Sequence, residues 1–149
     1  MQKASNIAKW FLAQEPMTHK KLQKLCYYAQ AWHCALYGKP LFEDEIQAWV
    51  HGPVVVSLYP LYAGYGWETI PQGKPIKSIK GKKALKILDA VYETYKMLSG
   101  DQLERLTHSE EPWKKARGNS KPWENCNTVI SLESMKRYYK EKYEQAQGE

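Results

Sequence analysis

Apolar residues recur at helical intervals over most of this chain. Ala4, Ile7, Ala8, Phe11 and Leu12 step by three and four, which predicts an opening helix stopped by Pro16. Leu22, Leu25, Ala29, Trp32 and Leu36 then draw one stripe down a second helix of about five turns. Thr18 stands at its N-cap position, where a hydroxyl accepts from an unpaired amide of the first turn. Gly38 ends this helix and Pro40 prevents its continuation.

The period changes over residues 45–50. Ile46, Ala48 and Val50 fall on one side and Trp49 on the other, which predicts a short strand. Gly52 permits a sharp turn after it, and Pro53 suits the first position of a new helix. Pro60 interrupts that helix by removing an amide from its ladder, so a kink or two short pieces are expected before residues 63–67. Residues 68–80 read as a polar loop. Leu85, Leu88, Val91, Tyr92, Tyr95 and Leu98 mark another long helix, closed at Gly100, and Asp101 is the expected cap of a short helix carrying Leu103 and Leu106. Ser109 reads as the cap of one more, with Glu110 and Glu111 near its positive end and Pro112 in its first turn. Residues 118–127 form a loop, residues 128–130 a short strand against 45–50, and Ser131 opens a last helix with Leu132, Met135, Tyr139 and Tyr143. The expectation is a mainly α protein: a single compact helical domain over residues 1–149, with a small β element near 45–50 and 128–130.

Composition adds little to that picture. Hydrophobic residues are 43% and charged residues 26%, ordinary for a globular chain. No apolar run approaches the roughly 20 residues of a membrane span. The N-terminus lacks a secretory apolar core and reads as part of the fold. Three cysteines without repeated spacing argue against a disulfide framework, so a reducing cytoplasm is expected. The net charge of +6 admits nucleic acid or an acidic protein as partner. The lysines and arginines fall in separate groups, at 20–24, 77–86 and 114–121, and make a phosphate-binding face only if the fold brings them together.

Reactive chemistry finds weak footing. Cys26 and His33 sit about 10 Å apart along one helix, too far for direct proton transfer, so a cysteine nucleophile needs a histidine from elsewhere, such as His51. A buried cysteine acting as a small hydrophobe is the simpler account. His19, His33, His51 and His108 show no metal-ligand spacing, and no phosphate loop, GxSxG or HExxH is present. The chain reads as no enzyme, with no cofactor and no metal. Its aromatic weight is more informative: six tryptophans and eleven tyrosines against two phenylalanines. Such side chains serve core edges and interfaces alike. His51, Tyr59, Tyr62, Tyr65 and Trp67, around the glycine turns and the kinked helix, are the candidate partner-binding residues; the alternative is that they pack their loop onto the domain.

Two blocks carry a resemblance. "KLQKLCYYAQAWHCALYGKPLFEDEIQAWVHGPVV" (Lys21–Val55) and "LTHSEEPWKKAR" (Leu106–Arg117) resemble the signature of the Panacea antitoxin domain, the SocA-like family of phage-associated proteins. Leu25, Tyr28, Trp32, Trp49, Gly52, Pro53, His108, Pro112 and Trp113 stand at its fold-defining positions. The resemblance implies an antitoxin that binds a cognate protein toxin encoded in the same operon and blocks it, by sequestration or by delivery to a cellular protease. It also implies that the tyrosine- and tryptophan-rich helix is scaffold. A basic nucleic-acid-binding regulator is the rival reading, and no membrane partner is expected.

Overall fold

The computed structural model describes residues 1–148. Helix α1 (Ala4–Gln14) leads through a short strand β1 (Met17–Thr18) into α2 (His19–Tyr37). A hairpin of β2 (Ile46–Trp49) and β3 (Gly52–Val55) follows, then a broken helical segment in which α3 (Tyr59–Tyr62) lies between 3-10 turns at Val56–Leu58 and Ala63–Tyr65. Strand β4 (Thr69–Ile70) returns to β1, and α4 (Lys82–Tyr95), α5 (Gly100–Ser109), α6 (Glu111–Arg117) and α7 (Leu132–Gln147) complete the chain. The mainly helical class with a small β element is therefore as expected. Helix α2 runs through the middle, packed against α1, α4, α5, α7 and β3.

The caps follow local chemistry. Thr18 Oγ1 accepts from the Lys21 amide at 3.2 Å, and Ser131 caps α7 in the same way. Gly38 closes α2 at φ 72°, a left-handed conformation. Pro60 lies in the first turn of α3, where its missing N–H would be unpaired anyway, and the segment breaks into short pieces as predicted.

Several expectations are corrected. Gly52–Val55 is a strand rather than a turn and helix start: Ala48 pairs with Pro53 and Ile46 with Val55 in an antiparallel register. Val50 lies outside β2, in the hairpin turn. Residues 128–130 do reach the hairpin, with Ala48 N–H donating to Thr128 O at 3.0 Å and Ile130 N–H to Ile46 O at 2.8 Å, but only as an isolated bridge. The loop over 68–80 contains β4. Gly100 opens α5 instead of closing α4, and the cap is Ser99, whose hydroxyl and the Gln102 side chain form a reciprocal capping box; Asp101 lies inside the first turn. Ser109 ends α5, and Glu110 is the N-cap of α6. Leu36 leaves the predicted stripe at 41% exposure, because the last turn of α2 gives Cys34 and Ala35 to the core instead.

Helix α2 is also buried where it is polar. Its Gln30 Oε1 accepts from the amides of Leu41 and Phe42 at 2.7 and 3.2 Å, while Nε2 donates to Phe42 O at 2.7 Å. Gln23 treats Val55 alike: Oε1 accepts from its amide at 2.8 Å and Nε2 donates to its carbonyl at 3.3 Å. Two side-chain amides thus hold the loop at residues 41–42 and the end of β3 against the helix, satisfying groups that no ladder reaches. Glu110, 2% exposed, accepts from Tyr28 Oη at 2.7 Å and Tyr139 Oη at 2.9 Å, with Lys142 Nζ at 3.0 Å. Arg117 donates to Ala48 O, Lys121 O and Glu124 O, fixing both the hairpin and the following loop.

Candidate functional site: an aromatic cleft

One end of α2 faces a cleft of about 1310 Å³. The first turns of the helix contribute His19, Lys20, Gln23 and Lys24; the hairpin contributes Trp49, His51 and Val54. Tyr59 and Trp67 come from the broken helical segment and its following turn, Asp101 from the start of α5, and Trp123 and Cys126 from the loop that Arg117 holds. Trp67 is 79% exposed and Trp123 is 72% exposed. Trp49 is held more firmly, its Nε1 donating to Gln47 Oε1 at 2.8 Å and its ring 5.0 Å from that of Tyr59.

The charges are arranged around Lys20 and Lys24. Lys20 Nζ lies 2.9 Å from Asp101 and 2.6 Å from Glu104, and 5.3 Å from the Trp67 ring centroid. Burial alone would lower its pKa, but the hydrogen bonds to the two carboxylates hold it above the ordinary value. His51 Nδ1 lies 3.2 Å from the same Glu104. Lys24 is different. It is 2% exposed, and Pro53 O, at 3.2 Å, is its hydrogen-bond acceptor. Burial pushes its pKa down to about 7; Glu104 opposes this and Lys20 adds to it. Gly52, at φ 109°, closes over this side chain so tightly that a Cβ would stand 2.6 Å from Lys24 Cε. The hairpin turn and the lysine therefore occupy each other's space. Burial, with Lys24 second, also lowers His19 to about 4, and its Nε2 sits 3.1 Å from the amide nitrogen of Gln23.

Of the predicted partner-binding residues, His51, Tyr59 and Trp67 line this cleft together. Tyr62 and Tyr65 do not. Tyr62 is half-buried against the core with its ring 6.0 Å from that of His19, and Tyr65, 40% exposed, stands outside the lining. His19, Trp123 and Cys126 join this lining, as do Lys20 and Lys24, which the sequence offers only as part of a scattered basic group. Trp123 carried a readable signal, a tryptophan in a polar loop. Lys24 carried none, since a lysine on a helix ordinarily faces water.

The signature residues fall mostly in the scaffold. Leu25 and Tyr28 are fully buried, and Trp32 Nε1 donates to Tyr95 Oη at 2.9 Å. His108 stacks on Trp113 with centroids 3.8 Å apart, and Trp113 Nε1 donates to Trp49 O at 2.8 Å. Pro112 is buried in the first turn of α6, while Gly52 and Pro53 form the hairpin strand over Lys24. Cys26 is fully buried and its thiol is pushed up by that burial; Cys34 is pushed to about 11 for the same reason, with Lys136 partly offsetting it. His33 Nδ1 is occupied by Lys39 O at 2.6 Å. The cysteines and His33 of this helix are thus held by burial and by a backbone contact. Among the described residues, no group of three or more His, Cys, Asp and Glu converges as a metal site requires, and no helix is long and apolar enough to cross a membrane.

Comparison with known proteins agrees with the arrangement of these blocks. No curated protein and no solved structure matches the chain. The family model described as antitoxin SocA-like, Panacea domain, matches residues 22–114, from the first turns of α2 into α6. That stretch contains the hairpin, Lys24, His51 and Trp67, and is more than half of the sequence. The chain belongs to the SocA-like antitoxin family of the Panacea domain.

Proposed function

We propose that this protein neutralises a toxin encoded beside it by direct contact through the aromatic cleft, acting by binding rather than by catalysis and in the cytoplasm. The observation that carries this reading is the pair Trp67 and Trp123, 79% and 72% exposed on two separate segments that line one concavity. Exposed tryptophans around a cleft are costly to leave in water, and large rigid aromatics that fill a partner's pockets dominate interface energies. The family supplies the class of partner, a toxin.

The nucleic-acid alternative draws less support. Two of the first lysine group are spent internally, Lys20 on Asp101 and Glu104 and Lys21 on Lys96 O at 2.6 Å and Glu15 at 3.4 Å, and Lys24 is 2% exposed, too enclosed for an extended phosphate backbone to track. The net charge of +6 suits an acidic protein surface equally well. Co-expression of the tagged chain with the adjacent gene product is the test. A complex that survives purification supports sequestration; loss of the toxin only in cells with intact proteases supports delivery. The absence of both co-purification and toxin loss would contradict direct neutralisation.

A further inference from the structure

The cleft contains a buried amine that has no ion-pair partner among the described residues. Lys24 is 2% exposed, lines the cleft, and has one backbone carbonyl, Pro53 O at 3.2 Å, as acceptor. An ammonium carries three donors. The carboxylate whose field reaches it, Glu104, is already taken by Lys20 at 2.6 Å and His51 at 3.2 Å, and Asp101 is taken by Lys20 at 2.9 Å. A buried cation with so little compensation is unfavourable until an anion arrives. The same cleft is lined by the apolar faces of Trp49, Trp67, Trp123 and Val54, and no further free carboxylate of this chain faces it among the described lining residues.

We propose that the cleft receives an acidic side chain of the toxin flanked by apolar residues, the carboxylate seating on the ammonium of Lys24 while the tryptophans cover its neighbours. This rests on the antitoxin reading above and names the chemistry of its contact. The occupant is argued from charge complementarity: a net charge of +6 over the whole chain, and a cleft-lining amine with no ion-pair partner among the described residues.

The geometry has a thermodynamic signature. In the free protein burial holds Lys24 near 7, so at pH 8 its amine is mostly neutral. A seated carboxylate favours the charged form, so complex formation at pH 8 takes up about one proton. The other groups facing Lys24 are His19 and Lys20 on α2, His51 on the hairpin, and Glu104 and His108 on α5. His19 and His108 are lowered by burial, and Lys20 is raised, so these leave the window around pH 8 clear. Cys126, which burial raises but hydrogen bonding with Thr128 brings below its ordinary value, is removed by working in a Cys126→Ser background.

Titration calorimetry of the adjacent gene product into this protein, in two buffers of different ionisation enthalpy at pH 8, measures the uptake. The expected result is uptake of about one proton that disappears in Lys24→Met, with affinity at least about tenfold weaker. Should Lys24→Met fail to fold, spectra of the folded Cys126→Ser protein with carbon-13 lysine decide: the Lys24 titration moves from about 7 toward 10.5 on binding. A complex that forms with no proton uptake, with uptake retained in Lys24→Met, or with an unmoved Lys24 titration overturns the carboxylate contact and leaves the antitoxin reading standing. No binding of the wild-type protein removes both.

Discussion

Replacing Gln30 isolates what the buried amides of α2 contribute. The side chain is 1% exposed and makes three hydrogen bonds, accepting from Leu41 N–H at 2.7 Å and Phe42 N–H at 3.2 Å and donating to Phe42 O at 2.7 Å. Leu41 and Phe42 are themselves 2% and 0% exposed, so water does not take over readily. Gln30→Met keeps nearly the same volume and removes all three bonds. Each buried backbone group left unpaired costs about 1–3 kcal/mol. Local relaxation recovers part of this, so about 3 kcal/mol is the expected loss, equivalent to about 6–12 °C in Tm. Gln30→Ala removes the same bonds and adds a cavity, so it should lose about 1–2 kcal/mol more than Gln30→Met. Urea unfolding followed by circular dichroism measures both, with the m-value serving as the check that the transition itself has not changed. A loss below about 1 kcal/mol in Gln30→Met would show that the loop is held by packing alone.

Three further outcomes follow from the same geometry. Gly52→Ala forces a side chain onto φ 109° and against Lys24 Cε at 2.6 Å, so it should cost about 2 kcal/mol or more in thermal unfolding; a neutral effect would contradict the close packing of hairpin on lysine. His19 titrates near 4 in the folded chain against 6.5 unfolded, so its contribution to stability is complete above pH 6.5 and is lost as pH falls through about 4; proton NMR that placed its midpoint near 6.5 would refute this. Trp67→Ala should leave unfolding unchanged within about 0.5 kcal/mol, whereas Tyr62→Ala, half-buried against the core, should lower stability by at least about 1 kcal/mol in the same urea assay.

Sequence pattern made the helices legible because their signals are local. The Ala4–Leu12 stripe, the Thr18 and Ser131 caps and the Gly38 terminator each need only neighbouring residues to act. The β3 strand was not legible for the opposite reason. "GPVV" locally suits a turn and a helix start, but Gln23, 32 positions earlier than Val55, takes both polar groups of Val55 and holds it extended. Periodicity also misjudges α2, whose polar side is buried: Gln23, Lys24 and Gln30 look like a solvated face until the loop and hairpin that cover them are in place. The candidate site divides along the same line. His51, Tyr59 and Trp67 are near one another in sequence around the glycine turns, while Trp123 and the lysines of α2 join them in the cleft only through the fold. Tyr62 falls outside the cleft because the broken helix turns one face of its short piece inward.

Growth rescue tests the central claim most directly. The neighbouring gene is induced in cells that also express either the wild-type chain or the Trp67→Ala, Trp123→Ala double variant, with soluble levels of both matched by immunoblot. The account predicts that the neighbour alone arrests growth, that the wild-type protein restores it, and that the double variant, folded and equally abundant, does not. Full rescue by the double variant would remove the cleft from the contact, and failure of the wild-type chain to rescue would contradict neutralisation of that toxin.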